Sequence, residues 1–479
     1  MLNFRDGMAQ ISVHQQLYKA YDNFKSSAVA QRRFTLAELQ FPLRSLSESN
    51  TLLSTSTIGK SVEGRPIFMV KAGDGKTKVL LWSQMHGDEP TATAAMLDIF
   101  NFLKAEPDSL QYVREAILEN TSLYFIPMLN PDGAQQFQRR NALGIDLNRD
   151  ALRLASPESK LLKEIRDSIQ ADWGFNLHDQ NRRYAAGPKG DAASITLLAP
   201  PIDHENSVNK TRKDAMHLVV LLYKAMQHYL PNGVGRWNDE FEPRAFGENM
   251  QLWGTRTVLI EAGGFGADWE KQEVRRLNFV AILYGLYGIA TGAYKAEDMA
   301  MYAQIPQNDK RYFDLLIRNA AYTTKGYTYN VDVGIDWEES ELPQGKFYNE
   351  ASVEDMGDLS TFKGFAELNA EGMQLLPGKL LPDTLTSVKL ITKKKIKHWL
   401  MQGYTGVIVK NLPNEMLHSP YPINLYSEQA AKAIEIKPNQ AGDLVLIKDD
   451  KVKYVVINGY IVDPNLKAVE IEAQGRVEK

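Results

Sequence analysis

His86 and Glu89 stand three residues apart in Met85-His86-Gly87-Asp88-Glu89-Pro90, directly after the apolar run Lys78 to Met85. An imidazole nitrogen and a carboxylate oxygen at that spacing can face one ion, and the pair suits Zn2+. Of the eight histidines, only His86 has a Glu three residues later. Alone the pair is a weak signal, and a loop histidine that merely hydrogen-bonds is an even alternative. His178 ends the strand-like run Trp173 to Leu177, at the position where open α/β sheets build sites. A lone histidine there is more often structural; His86 and Glu89 make it a third donor candidate. The 479 residues include no cysteine, so thiolate ligands, disulfides and cysteine nucleophiles are out, and a metal must be held by His, Asp or Glu.

Glu261 closes the apolar strand Val258-Leu259-Ile260 and precedes Gly263-Gly264. A carboxylate there is costly unless it is paired or functional; the bland alternative is an ion pair with a neighbouring Arg or Lys. The stretch from Arg139 to Asp150 gathers Arg139, Arg140, Asp146, Asn148 and Arg149. Guanidinium forks match a carboxylate bidentately, and Asp146 could orient a ligand histidine. A surface ion-pair loop is the plainer account of the same residues. Asn130-Pro131-Asp132-Gly133, taken alone, reads as a turn.

These residues need a scaffold, and the pattern around them predicts one. Strands are expected over Lys78 to Met85, Ser122 to Leu129, Trp173 to Leu177 and Arg256 to Glu261. Helices are expected over Thr91 to Lys104, Ser159 to Ile169 and Glu205 to Tyr229, with another after Gly264 to about Ile289. Such alternation implies an α/β fold, a mixed and mostly parallel sheet flanked by helices. Near residue 295 the texture changes to short β-rich runs: Phe313 to Ile317, Tyr327 to Ile335, Gly406 to Lys410, Asp443 to Ile447 and Val452 to Ile457. The chain exceeds the length of one growing core. We therefore expect a catalytic domain over 1–295 and a β-rich, sandwich-like domain over 296–479. The basic run Lys393, Lys394, Lys395 and Lys397 reads as a solvated face.

Taken in order, five elements resemble the zinc metallocarboxypeptidases, the carboxypeptidase A-like peptidases, over roughly residues 55 to 290. They are H-x-x-E at 86–89, N-P-D-G at 130–133, R-x-N-A-x-G-x-D-x-N-R at 139–149, His178 and Glu261. The resemblance implies one zinc per chain, held by His86, Glu89 and His178. It implies a zinc-activated water with Glu261 as general base, and Arg139 polarising the scissile carbonyl. Asn148 and Arg149 would hold the free carboxylate of a peptide substrate, and Asp146 would brace His86. One departure stands out. The family's late tyrosine is missing, because Pro231 to Ile260 holds Trp237, Phe241, Arg244, Phe246 and Trp253 but no Tyr. Arg244 is then the candidate to reach the side-chain pocket, which predicts substrates with an acidic group near the cleaved residue. In the C-terminal part, Phe313 to Asn319, Ala441 to Ile447 and Val455 to Gly459 resemble strands of the β-sandwich that accompanies metal-dependent amidohydrolases. An unrelated β domain accounts for them equally well.

Two other functions compete: a zinc amidase or deacylase acting on small N-acyl amino acids, and a zinc-containing binding protein without catalysis. The net charge of −4 gives no electrostatic reason for a nucleic acid or an anionic membrane as partner. No stretch reaches the length of a membrane span. Met1 to Val13 lacks an apolar signal core, so the expectation is cytoplasmic; a trimmed signal would make it periplasmic or secreted. The oligomeric state stays open.

Overall fold

The structure is a computed structural model that describes residues 11–49, 52–342, 346–465 and 474–479. The chain divides into two units, one ending at Lys310 and the other beginning at Arg311.

In the first unit, helices α1 (Val13–Ala20) and α2 (Leu36–Ser49) precede strands β1 (Leu53–Lys60), β2 (Pro66–Ala72) and β3 (Thr77–Ser83). Helices α3 (Thr91–Leu103) and α4 (Gln111–Asn120) lead to β4 (Thr121–Ile126). Then come α5 (Pro131–Gln136), α6 (Pro157–Ile169), β5 (Trp173–Asp179), β6 (Tyr184–Ala185) and β7 (Ile195–Leu198). The unit continues through α7 (Lys210–Gln227), β8 (Val234–Arg236), α8 (Phe246–Leu252), β9 (Arg256–Ala262) and α9 (Gln272–Thr291). The main sheet has the order β1-β2-β4-β3-β5-β9-β7-β8. Its centre, β4-β3-β5-β9, is parallel, and antiparallel pairs lie to either side. The mixed, mostly parallel sheet expected from the sequence is therefore present.

Burial explains which elements were legible. Strands β3, β5 and β9 are buried along most of their length and read as continuous apolar runs, as central parallel strands do. Strand β1 is largely exposed and reads LSTSTIGK, so nothing apolar announced it. The N-terminal segment is tied down by a buried ion pair. Arg275 of α9 donates from Nε and Nη2 to Asp98 of α3 at 2.7 and 2.6 Å, and also to the carbonyls of Val29 and Ser26. A charge pair this deep tolerates burial because carbonyls satisfy the remaining donors.

The boundary at 295/296 expected from the sequence falls inside the first unit. Tyr294, Tyr302 and Ile305 are buried in its main apolar cluster, and Asp309–Lys310 pairs with β6. The change of texture marks where helices stop, and the core continues past it.

The second unit is β-rich, with two sheets among the described residues. The larger runs Lys346–Gly357, Tyr327–Leu342, Tyr312–Thr324, Gln374–Pro377, Leu444–Lys448, Lys451–Ile457 and Tyr460–Val462, with Lys363–Asn369 also on Tyr312–Thr324. The smaller sheet, centred on Tyr404–Ile408 and Asn424–Tyr426, meets it through Val407 and Leu425, which share a cluster with Val445 and Val455. The lysine run begins a helix, Lys393–Leu400, that buries Ile396, Trp399 and Leu400 and leaves Lys393, Lys394 and Lys395 exposed. Among the described residues no helix is long and apolar enough to cross a membrane.

Candidate metal and peptide site

The C-terminal ends of β3, β5 and β9 bring the site together. His86 and Glu89 lie in the turn after β3, His178 near the end of β5, and Glu261 at the matching level of β9. The turn after β3 is held against the Asn130-Pro131-Asp132-Gly133 segment. Asn130 caps α5 through the Gly133 amide (2.9 Å) and donates to the carbonyls of Met85 and Arg139. A Cβ on Gly87 would stand 2.0 Å from the carbonyl carbon of Gly133, so only glycine permits this approach. Asp132 accepts from Ser61, Glu63 and Arg65. What reads as a turn thus locks three segments under the site.

Side-chain donor atoms of His86, Glu89 and His178 all lie within 4.8 Å of one another. His86 Nε2 is 3.1 Å from Asp146 Oδ1, and in the neutral ring an N–H there leaves Nδ1 as the acceptor. That Nδ1 is 2.8 Å from Glu89 Oε1, 3.1 Å from His178 Nδ1 and 3.1 Å from Arg139 Nη1. His178 Nδ1 is also 2.7 Å from Glu89 Oε2, while its Nε2 is buried without a partner. Acceptors converging on one point demand positive charge between them. Burial opposes a charged His86, yet Glu89 and the Asp146 bond outweigh it and push its pKa up to about 9. Burial lowers that of His178. Burial also works against the Glu89 carboxylate, but the two histidines hold it well below the usual range. Two imidazoles and one carboxylate, ordered by an outer aspartate, fit zinc.

Glu261 is buried, and among the described residues no side chain hydrogen-bonds its carboxylate. Burial first, then the charge of Glu89, drives its pKa well above the ordinary value. Asp179, beside His178, takes bonds from Thr91 and Lys271 at 2.5 and 3.0 Å.

Arg139 is the arginine at the donor cluster. It binds Asp146 Oδ2 through Nε at 3.0 Å and turns Nη1 toward His86 and Glu89. Arg140 is exposed and bonds the Gly144 carbonyl. Asn148 and Arg149 line one cavity together with Glu261; Asn148 Oδ1 accepts from the Phe246 amide, and Arg149 Nε is 3.2 Å from Glu242. Arg244 is exposed, held by Glu242 at 2.8 Å, and is not among the cavity's lining residues. A guanidinium just before the α8 start is not aimed by the helix, so it turns to the nearest carboxylate. Where the late tyrosine was missed, the cavity wall carries Trp237 and Phe241. Glu248, which the sequence reading passed over, lines the same cavity. A carboxylate inside the otherwise buried stretch Phe246 to Gln251 was the available signal.

Residues 43–181 match the family model described as zinc carboxypeptidase. Carboxypeptidase 2 of Trichophyton rubrum is 31% identical over 160 residues, covering 31% of this chain and 29% of that protein. Carboxypeptidase E of Caenorhabditis elegans is 31% identical over 134 residues, covering 24% and 28%. The chain thus spans less than a third of the length of these relatives. A metallo-carboxypeptidase structure from Burkholderia cenocepacia aligns with a TM-score of 0.44 at 18% identity, over 54% of this chain and 70% of that one. The matched segment contains His86, Glu89, Arg139, Asp146, Asn148, Arg149 and His178, whereas Glu261 and the α8 wall lie beyond it. The segment that carries all three metal-donor candidates is therefore the segment that matches the zinc carboxypeptidase family model.

Proposed function

We propose that this chain removes C-terminal residues from peptides as a zinc-dependent carboxypeptidase with one zinc per chain. One observation carries the reading: Asn148 and Arg149, suited to a carboxylate, line the same cavity as Glu261, and Glu261 is the register partner of His178. His86, Glu89 and His178 would hold the metal, which supplies Lewis acidity that polarises a carbonyl and lowers the pKa of water. Arg149 and Asn148 grip the terminal carboxylate, with the guanidinium giving the charge and the amide a further donor. Arg139, oriented by Asp146, presents Nη1 to the side on which the carbonyl oxygen gains negative charge. Glu261, whose proton affinity is raised by burial, takes a proton from the attacking water and hands it to the departing amine.

The test compares one peptide with a free C-terminus, its C-terminal amide, and an N-acyl amino acid, using wild type and Glu261→Gln. The expected result is cleavage of the free peptide, at least tenfold slower cleavage of the amide, and a loss of about a hundredfold or more in Glu261→Gln with metal retained. Equal rates on free and amidated peptides would overturn the carboxylate role. Faster turnover of the N-acyl amino acid would favour a deacylase.

A further inference from the structure

The cavity beside Glu261 has a volume of about 360 Å³ and extends past Arg149 to the wall made by α8. If a terminal carboxylate sits on Asn148 and Arg149, the side chain of the terminal residue enters this space. Glu240, Glu242 and Glu248 line it, against Arg149 as the sole cation among the lining residues. Glu242 is already matched by two arginines, Arg149 at 3.2 Å and Arg244 at 2.8 Å. Glu248 differs. It is 9% exposed, and among the described residues no cationic side chain forms an ion pair with it. Its contact from a neighbouring residue is a long bond, 3.4 Å, from the backbone amide of Glu242.

A carboxylate buried against a cavity without a counter-ion costs free energy that an incoming cation recovers. The other walls suit the same guest. Trp237 and Phe241 offer aromatic faces, which attract an ammonium or guanidinium. Leu198, Pro200 and Leu259 suit the methylene stem of a long side chain. An acidic side chain would instead meet Glu240 and Glu248.

We propose that this pocket selects a cationic C-terminal residue, lysine or arginine, and that Glu248 is its specificity-determining residue. The proposal rests on the carboxypeptidase reading for the position of the carboxylate, and it reverses the acidic preference expected from Arg244. Glu248 sets which side chain binds, and it acts on the substrate directly.

The test uses the full chain and peptides identical except for a terminal Lys, Arg, Leu or Glu. The expected kcat/KM for Lys and Arg exceeds that for Leu at least tenfold, with Glu the poorest. Glu248→Gln should lower the Lys value at least tenfold more than the Leu value. A parallel binding titration with Glu261→Gln protein, which keeps the pocket, should show the same Lys over Leu preference in Kd. Leu equal to or better than Lys in both assays overturns the proposal. So does a Glu248→Gln effect that falls equally on Lys and Leu, which is the signature of a structural role. Lys-selective binding without any cleavage would overturn the carboxypeptidase reading and leave the pocket assignment standing.

Discussion

His178 and Glu261 are register partners on adjacent parallel strands, β5 and β9. Partners in a parallel ladder point to the same face, and the ladder hydrogen bonds set their spacing. The proposed metal donor and the proposed base are thereby fixed relative to each other by backbone pairing in a buried part of the sheet. A site built on strands is more rigid than one built on loops.

The donor set predicts metal content. Purified protein should carry about one zinc per chain, and His178→Ala should lose most of it. Elemental analysis after dialysis against a weak chelator measures this. Full zinc content in His178→Ala would remove His178 from the set.

Selectivity should depend on pH through Glu248. Burial raises its pKa to about 7, with Arg149 pulling down and Glu242 pushing up; Glu240 also lines the cavity. Below that value the carboxyl is neutral, and above it the charge that favours a cation is present. The Lys-to-Leu ratio of kcat/KM should therefore rise severalfold between pH 6 and 8. Taking the ratio cancels titrations common to both substrates. In Glu248→Gln it should be flat, and a slope that survives the substitution would assign it to another group.

The N-terminal helix should loosen in acid. His14 Nδ1 bonds the Tyr229 hydroxyl at 3.0 Å, and the ring meets Tyr284 edge-on. Burial, then the nearby His228, lowers its pKa to about 4 from 6.5. A depressed histidine means that the unfolded chain takes up the proton first as pH falls. The stability from neutral His14 is thus complete above about pH 6.5 and is lost progressively toward pH 4. The Tm of wild type minus that of His14→Phe should fall across this window, and a constant difference would count against the assignment.

The second unit should be separable at Lys310, not at Met299. Ending at Met299 deletes Tyr302, whose hydroxyl accepts from the Ala199 amide at 3.1 Å, and Ile305 from the same core. Loss of a large buried aromatic costs about 3–5 kcal/mol. A chain ending at Lys310 should fold cooperatively and bind zinc, while one ending at Met299 should melt many degrees lower. Equal melting temperatures would show that this segment contributes little.

Much of the grouping of the candidate site's residues could be read from residue order alone. His86 and Glu89 share one turn, and Asp146, Asn148 and Arg149 share one short helical turn and its cap, so local geometry dictates their grouping. The buried strands β3, β5 and β9 announced themselves because a strand covered on both faces must be apolar throughout. That His178 and Glu261 come level depended on the pairing of β5 with β9, since register between strands 83 residues apart (261 minus 178) is written in no local pattern. The side-chain pocket was likewise decided by packing. Arg244 and Glu248 are four residues apart, yet Arg244 precedes α8 and swings to Glu242, while Glu248 lies within the helix and is carried into the cavity wall. Residue type and spacing marked which residues are candidates for the proposed chemistry; only the three-dimensional packing, by choosing which charge is buried without a partner, formed the pocket from which the cationic preference is proposed.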